Sequence, residues 1–97
     1  MGRLDPGTGE VEEWASPGGS GSQPFGMAAT SDGSVWFSES GVKPNTIVRF
    51  DPRTRTFAVW PIPSGGGVVR NMAATSSGNL YIACSEKNRI GVVRVVR

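Results

Sequence analysis

Few side chains of this sequence are of a type suited to catalysis or metal binding. The chain contains no histidine and a single cysteine, Cys84. One thiol without any histidine cannot form an internal disulfide or complete the usual zinc ligand sets. We therefore expect Cys84 to be a small apolar residue within a strand, and the residue types by themselves predict no metal site and no cofactor.

Two kinds of loop resemble ligand sites only superficially. The glycine-rich segments at residues 17–22 and 64–67 do not lead from a strand into a helix, as a phosphate-binding loop would, so we expect simple connections. Asp5 and Asp51 each begin an Asp-Pro sequence. One carboxylate per loop is too few for calcium, which takes roughly six to eight oxygen ligands. These aspartates instead favour tight turns, because proline presets φ at the second turn position.

The composition indicates short strands separated by frequent turns. The 97 residues include 14 glycines and seven prolines, together with three tryptophans and four phenylalanines. Glycine and proline mark turns, whereas aromatic and β-branched residues favour strands. We therefore predict an all-β fold, and the length leaves room for one structural unit.

An internal repeat organises this unit. The matching segments are residues 3–8 with 49–54, residues 27–33 with 72–78, and residues 35–37 with 80–82, at offsets of 46, 45 and 45. A period of about 45 residues with several short strands is typical of β-propeller blades. Trp14 and Trp60 occupy the same place in the repeat, which favours a packing role over stacking on a sugar or an aromatic ligand.

Turn residues place four strands in one period. The predicted strands cover residues 26–30, 35–39, 47–50 and 56–60, the last ending before Pro61. We predict two β-propeller blades of four-stranded antiparallel sheets. Their expected ranges are residues 24–60 for the first blade and 61–97 for the second, with three of the second blade's strands in residues 72–96. Residues 1–23 would supply a strand that completes a neighbouring blade, followed by a linker.

Three segments of the repeat carry a family resemblance. They are residues 24–27, residues 32–39 and residues 47–50. Their pattern resembles the blade repeat of the virginiamycin B lyases, which are also called streptogramin B lyases, and the likeness extends over the whole chain. The second copy is less regular and looks like a final blade. Members of that family are seven-bladed propellers that open the ring of streptogramin B antibiotics by elimination, with magnesium, histidine and glutamate at the centre.

The resemblance also points to individual site residues. Phe25 and Arg70 stand where the family places histidine, so the family's general base is missing and these two positions become candidate binding residues at the central face. Glu39 matches the family's strand-end glutamate, and Glu86 is its approximate counterpart in the second copy. Both are candidate catalytic or cation-binding residues. The alternative is that each is a solvated carboxylate or a partner for arginine or lysine.

These features support more than one function. We expect a non-catalytic blade-pair module that assembles with itself into a propeller ring and could bind a ligand at the ring face. The alternative is a magnesium-dependent lyase-like enzyme whose missing groups come from other blades or subunits. A third possibility is a purely structural module without any ligand.

The charge distribution suggests how copies would meet. Residues 1–40 hold six acidic residues against Arg3, whereas residues 41–97 hold nine basic residues against two acidic ones. This asymmetry favours head-to-tail contact, with residues 10–14 as the donated fourth strand, and a trimer ahead of a tetramer. The net charge of +2 gives no reason to expect a nucleic-acid partner. No apolar stretch resembles a signal peptide or a membrane span, so we expect no membrane partner, and the compartment is not indicated.

Overall fold

The computed structural model describes residues 1–95 and confirms the all-β fold. This part of the chain forms nine strands and no helix. The strands are β1 (Gly2–Leu4), β2 (Val11–Glu13), β3 (Pro24–Ala29), β4 (Val35–Glu39), β5 (Thr46–Asp51), β6 (Thr56–Pro61), β7 (Val69–Ala74), β8 (Leu80–Cys84) and β9 (Arg89–Val93).

The strands form three antiparallel sheets. β1 and β2 make an N-terminal hairpin, β3 to β6 make a four-stranded first sheet, and β7 to β9 make a three-stranded second sheet. The four strands predicted between residues 24 and 60 are all present. β6 includes Pro61, because an edge strand tolerates a residue without an N–H group. Residue 96, where the last predicted strand was to end, lies outside the described residues.

Residues 10–14, which are predicted to offer a strand to a neighbouring blade, contain β2. Within this single chain β2 pairs with β1. The Asp5 carbonyl accepts a bond from the Gly9 N–H at 2.7 Å and closes the connecting turn. A short loop brings neighbouring segments together at low entropic cost, which explains this local pairing.

The first two strands of both larger sheets are joined by the same turn. The Gly33 N–H donates to the Thr30 carbonyl at 3.0 Å, and the Gly78 N–H donates to the Thr75 carbonyl at 2.9 Å. Both glycines have a φ of 90°. Side chains strongly disfavour this left-handed conformation, so glycine at these two positions fixes where β4 and β8 begin.

The two sheets meet where β3 runs beside β7. A Cβ atom on Gly26 would lie 3.1 Å from the Arg70 carbonyl oxygen, which shows how close the two backbones are. The buried Ser38 hydroxyl accepts a bond from the Gly26 N–H at 3.0 Å and donates to the Val69 carbonyl at 2.7 Å. This hydroxyl therefore connects the second strand of one sheet to the first strand of the other.

An apolar core fills the space between the two sheets. Its buried residues are Trp36, Ile47, Ile62, Val69, Leu80, Ile82 and Cys84, with Ala28, Met72, Val93 and Val95 packed against them. The opposite side of the first sheet carries an aromatic cluster, in which Trp14 and Phe57 each lie 4.9 Å from Phe50. Trp14 follows β2, so the N-terminal hairpin contacts the first sheet on the side away from the second sheet.

Candidate functional site

Glu39, the first candidate catalytic residue, is buried at the end of β4. Its side chain is held by three donors, and the residue is 1% exposed. Oε2 accepts bonds from the Ser16 hydroxyl at 2.5 Å and the Gly18 N–H at 2.6 Å. Oε1 accepts a bond from the Thr46 hydroxyl at 2.7 Å. We call Ser16, Gly18, Glu39 and Thr46 the Glu39 cradle; it ties the segment after β2 to the first sheet.

The cradle keeps this carboxyl ionised. Burial raises the pKa of Glu39, but the hydrogen bonds from Ser16, Thr46 and Gly18 lower it more, so the pKa lies below its ordinary value of 4.5. Among the described residues no lysine or arginine pairs with it. Glu39 is therefore neither the solvated carboxylate nor the ion-pair partner considered above, and both of its oxygens are occupied by protein donors.

The counterpart of Glu39 in the second sheet is not Glu86. We call two residues counterparts when they hold the same place in the strand register of the two sheets. Glu39 pairs with Pro24 and Thr46, while Cys84 pairs with Val69 and Arg89. Cys84 is thus the counterpart, and it is buried in a strand as predicted. Glu86 lies in the exposed turn that follows, so the structure does not bring the two glutamates to equivalent positions.

The candidate binding residues Phe25 and Arg70 lie on neighbouring strands. Both are exposed, and each sits at a bulge, where the register shifts between Pro24 and Met27 in β3 and between Val69 and Met72 in β7. In the described part of the chain, no three histidine, cysteine, aspartate or glutamate residues cluster as a metal site would require. The exposed edge formed by β3 and β7 therefore carries an aromatic and a cationic side chain.

An aromatic cavity that the sequence did not predict lies beside β9. It has a volume of about 330 Å³ and is lined by Trp36, Ile47, Arg49, Trp60, Val93, Arg94 and Val95. We call it the Trp60 cavity. The rings of Trp36 and Trp60 are stacked with centroids 5.9 Å apart, and the Arg49 guanidinium lies 5.4 Å from the Trp36 ring. The only sequence feature that pointed to this cavity was the repeat position that Trp60 shares with Trp14.

Arg49 is held in this cavity by an acidic partner. Its guanidinium donates to Asp32 at 2.8 Å and to the Ser34 hydroxyl at 2.7 Å. Hydrogen bonds from the Thr30 hydroxyl and the Ser34 N–H lower the pKa of Asp32 to about 2, and Arg49 adds to the effect. The Asp32 carboxyl is therefore ionised near neutral pH, and its bond to Arg49 fixes the guanidinium over the Trp36 ring.

Two open apolar faces remain on the surfaces of the sheets. On the second sheet, the side away from the first sheet exposes Tyr81, Ile90 and Val92. On the first sheet, Met27 is 52% exposed on the side that carries Phe37, its partner in the register. We call these surfaces the Ile90 face and the Met27 face. Exposed apolar patches of this kind are typical of protein contacts.

Comparison with known proteins gives no relative for this chain. No protein-family model, no curated protein and no solved structure matches it. Within residues 1–95 no helix is long and apolar enough to cross a membrane. The functional argument therefore rests on the residues and contacts just described.

Proposed function

We propose that this protein is a non-catalytic β-propeller blade-pair module that assembles head-to-tail with further copies of itself. The observation that carries the proposal is that the Ile90 face and the Met27 face correspond in strand register to the two faces that pack together inside the molecule. Tyr81, Ile90 and Met27 are the counterparts of residues covered where the first and second sheets meet, which are Trp36, Ile47 and Met72.

The Ile90 face corresponds to the covered face of the first sheet. Trp36 and Tyr81 are counterparts, yet Trp36 is 3% exposed and Tyr81 is 50% exposed. Ile47 and Ile90 are likewise counterparts, with exposures of 3% and 79%. The first sheet buries these positions against the second sheet. On the second sheet the equivalent residues, Tyr81 and Ile90, form a similar apolar surface that is left exposed.

The Met27 face corresponds to the other half of that contact. Its counterpart, Met72, packs against the core between the sheets, whereas Met27 is 52% exposed. A second copy would place its Ile90 face on this Met27 face and repeat the internal packing. Removal of this apolar surface from water would supply the main favourable free energy of assembly.

The two faces are different surfaces, which sets the symmetry of the assembly. A head-to-tail contact closes into a ring when the rotation between copies allows it. With two blades per chain, three copies would make a six-bladed ring and four copies an eight-bladed one, and we favour the trimer. The acidic first 40 residues and the basic remainder would steer the copies into this order, more strongly at low salt.

The non-catalytic assignment rests on the missing base and on the state of Glu39. Phenylalanine does not titrate and arginine stays protonated, so neither Phe25 nor Arg70 can replace a catalytic histidine. The carboxylate of Glu39 is buried and already accepts three hydrogen bonds. The resemblance to the virginiamycin B lyases would then reflect a shared blade repeat without the shared reaction.

A mixing experiment tests the head-to-tail contact. We expect wild type to sediment as a closed ring, and Ile90→Asp and Met27→Asp each to sediment as a folded monomer, because each loses one face. Mixed together, the two variants should form a heterodimer through their intact faces, which a symmetric contact would not allow. Leu4→Asp, at an exposed apolar residue of the N-terminal hairpin and outside both faces, serves as the matched control and should still form rings.

Circular dichroism on every variant separates loss of assembly from loss of folding. A folded wild-type monomer at tens of micromolar, or rings that persist in Ile90→Asp, would contradict the proposal. A parallel assay with streptogramin B and magnesium tests the enzyme alternative. We expect the antibiotic's ring to stay intact. Turnover that disappears in Glu39→Gln would show that the protein is a catalyst after all.

A further inference from the structure

The outer edge of β9 is unpaired in the described part of the chain. β9 bonds to β8 on one side, whereas its counterpart in the first sheet, β5, has β4 on one side and β6 on the other. The Trp60 cavity lies beside this free edge and is lined there by Val93 and Val95. An unpaired edge next to an apolar cavity is a surface onto which a further strand can add.

The N-terminal hairpin contains a strand of the right kind. Its turn matches the turn between β5 and β6, since the Arg55 N–H donates to the Asp51 carbonyl and the Gly9 N–H donates to the Asp5 carbonyl, both at 2.7 Å. β2 is therefore the counterpart of β6, and β1 is the counterpart of β5. Because β9 is also the counterpart of β5, β1 and β9 are equivalent partners for the same edge of β2.

β1 is the weaker of these two partners. It is three residues long and exposed throughout, whereas β9 has five residues and is anchored in the second sheet. The Arg3–Glu12 pair across the hairpin is 3.7 Å long and largely exposed, so it contributes little stability.

Charge also favours β9 as the partner of β2. The segment around β2 carries Glu10, Glu12 and Glu13, whereas Arg89 and Arg94 lie at the two ends of β9. If β9 took the register of β1, Val11 would stand opposite Val93, and Glu10 would stand opposite Arg94. Val11, which is 62% exposed in the hairpin, would then reach the Trp60 cavity.

We propose that β1 pairs with β2 only in the free monomer. In the assembly, β2 of one copy leaves β1 and pairs with β9 of a second copy. Val11 of the incoming strand fills the Trp60 cavity, and the second sheet gains its fourth strand. This strand exchange deepens the proposed function and rests on it. It also makes the hairpin of the free monomer an inhibited state, because β1 must open before the ring can close.

Two disulfide variants that share one substitution test the exchange. Leu4 and Val11 are opposed in the hairpin, so Leu4→Cys with Val11→Cys locks β1 onto β2 within a chain. Val11→Cys with Val93→Cys instead links β2 of one copy to β9 of another. Val11→Cys alone is the control, and the buried Cys84 is common to all three variants.

We expect the oxidised lock to be monomeric and to regain assembly when it is reduced. We expect the second pair to give covalent oligomers on a non-reducing gel, with none from the control. Full assembly of the oxidised lock, or no covalent oligomers from the second pair, would overturn the exchange. If the Ile90→Asp and Met27→Asp results still held, the proposed function would survive that failure. If the lock blocked assembly while Ile90→Asp did not, the exchange would stand and the face contact would fail.

Discussion

Two junctions of the molecule have the same backbone turn, but polar side chains surround one turn and apolar side chains surround the other. In the first junction, between the hairpin and the first sheet, the Gly19 N–H donates to the Ser16 carbonyl at 3.0 Å. In the second junction, between the two sheets, the Gly65 N–H donates to the Ile62 carbonyl at 2.9 Å. The two glycines have φ values of 90° and 87°, so the turn itself is the same at both places.

The side chains that hold these turns differ as a set. Where the first junction has Ser16 and Glu39 joined by a hydrogen bond, the second has Ile62 and Cys84 in the apolar core. Thr46, the third donor to Glu39, is replaced by Arg89 in the register. Ionised carboxylate and hydroxyl donors stabilise one turn, and burial of apolar atoms stabilises the other. The comparison shows that such positions must change together, because a buried carboxylate without donors is costly.

The largest loss of folding stability is expected when a carboxylate is placed in the apolar junction between the two sheets. Cys84→Glu in an Arg89→Ala background, which removes the cation opposite position 84, would bury a carboxyl beside Ile62, where no hydroxyl takes the place of Ser16. We expect the free energy of unfolding to fall by about 3–5 kcal/mol, measured by urea denaturation. Cys84→Ala in the same background is the control and should cost much less, because it removes packing and adds no charge. Equal losses in the two variants would show that the junctions do not differ in polarity.

Removal of the carboxylate from its own cradle should have the next largest effect. Glu39→Ala leaves the Ser16 hydroxyl, the Gly18 N–H and the Thr46 hydroxyl without their acceptor. We expect a loss of about 2–4 kcal/mol in the free energy of unfolding, from unpaired donors and lost packing. Glu86→Ala, at an exposed turn, should stay within about 0.5 kcal/mol of wild type. A comparable loss at both glutamates would contradict the assignment of Glu39 as the structural carboxylate.

Replacing both Ser16 and Glu39 by their counterparts from the second junction should recover part of the stability lost when Glu39 alone is replaced. Glu39→Cys is expected to be destabilising, and adding Ser16→Ile should restore about 1 kcal/mol, because an apolar pair replaces an unmatched polar one. A double-mutant cycle over the two substitutions measures this coupling. Strictly additive losses would mean that residues 16 and 39 do not act as a unit.

The smallest loss of folding stability is expected on lowering the pH. The pKa of Glu39 is lowered from 4.5, and that of Asp32 from 3.8 to about 2, so below their ordinary values the unfolded chain binds protons that the folded chain does not. Stability should therefore fall as the pH drops from about 5 towards about 2. Urea midpoints across this range should have a shallower slope in Glu39→Gln and in Asp32→Asn. An unchanged slope in both variants would contradict the lowered pKa values.

Local turn chemistry was readable from the sequence because φ preferences act over a few residues. Gly33 and Gly78 fix the starts of β4 and β8, and the repeat predicted all four strands of the first sheet. Continuing the offset of 45 from Val35 and Leu80 would also have placed Cys84, not Glu86, opposite Glu39. Glu86 had been matched to Glu39 by residue type, whereas the strand register places Cys84 there.

Contacts across long sequence separations were decided only by the tertiary structure. The sequence singled out Glu39, but its burial depends on Ser16 and Gly18, which lie more than 20 residues earlier and reach it because the linker folds back onto the sheet. The Trp60 cavity and the unequal exposure of Ile47 and Ile90 are of the same kind. Strand propensity is set by each residue and its neighbours, whereas burial is set by what packs on the finished sheet, and identical strand patterns can end in opposite environments.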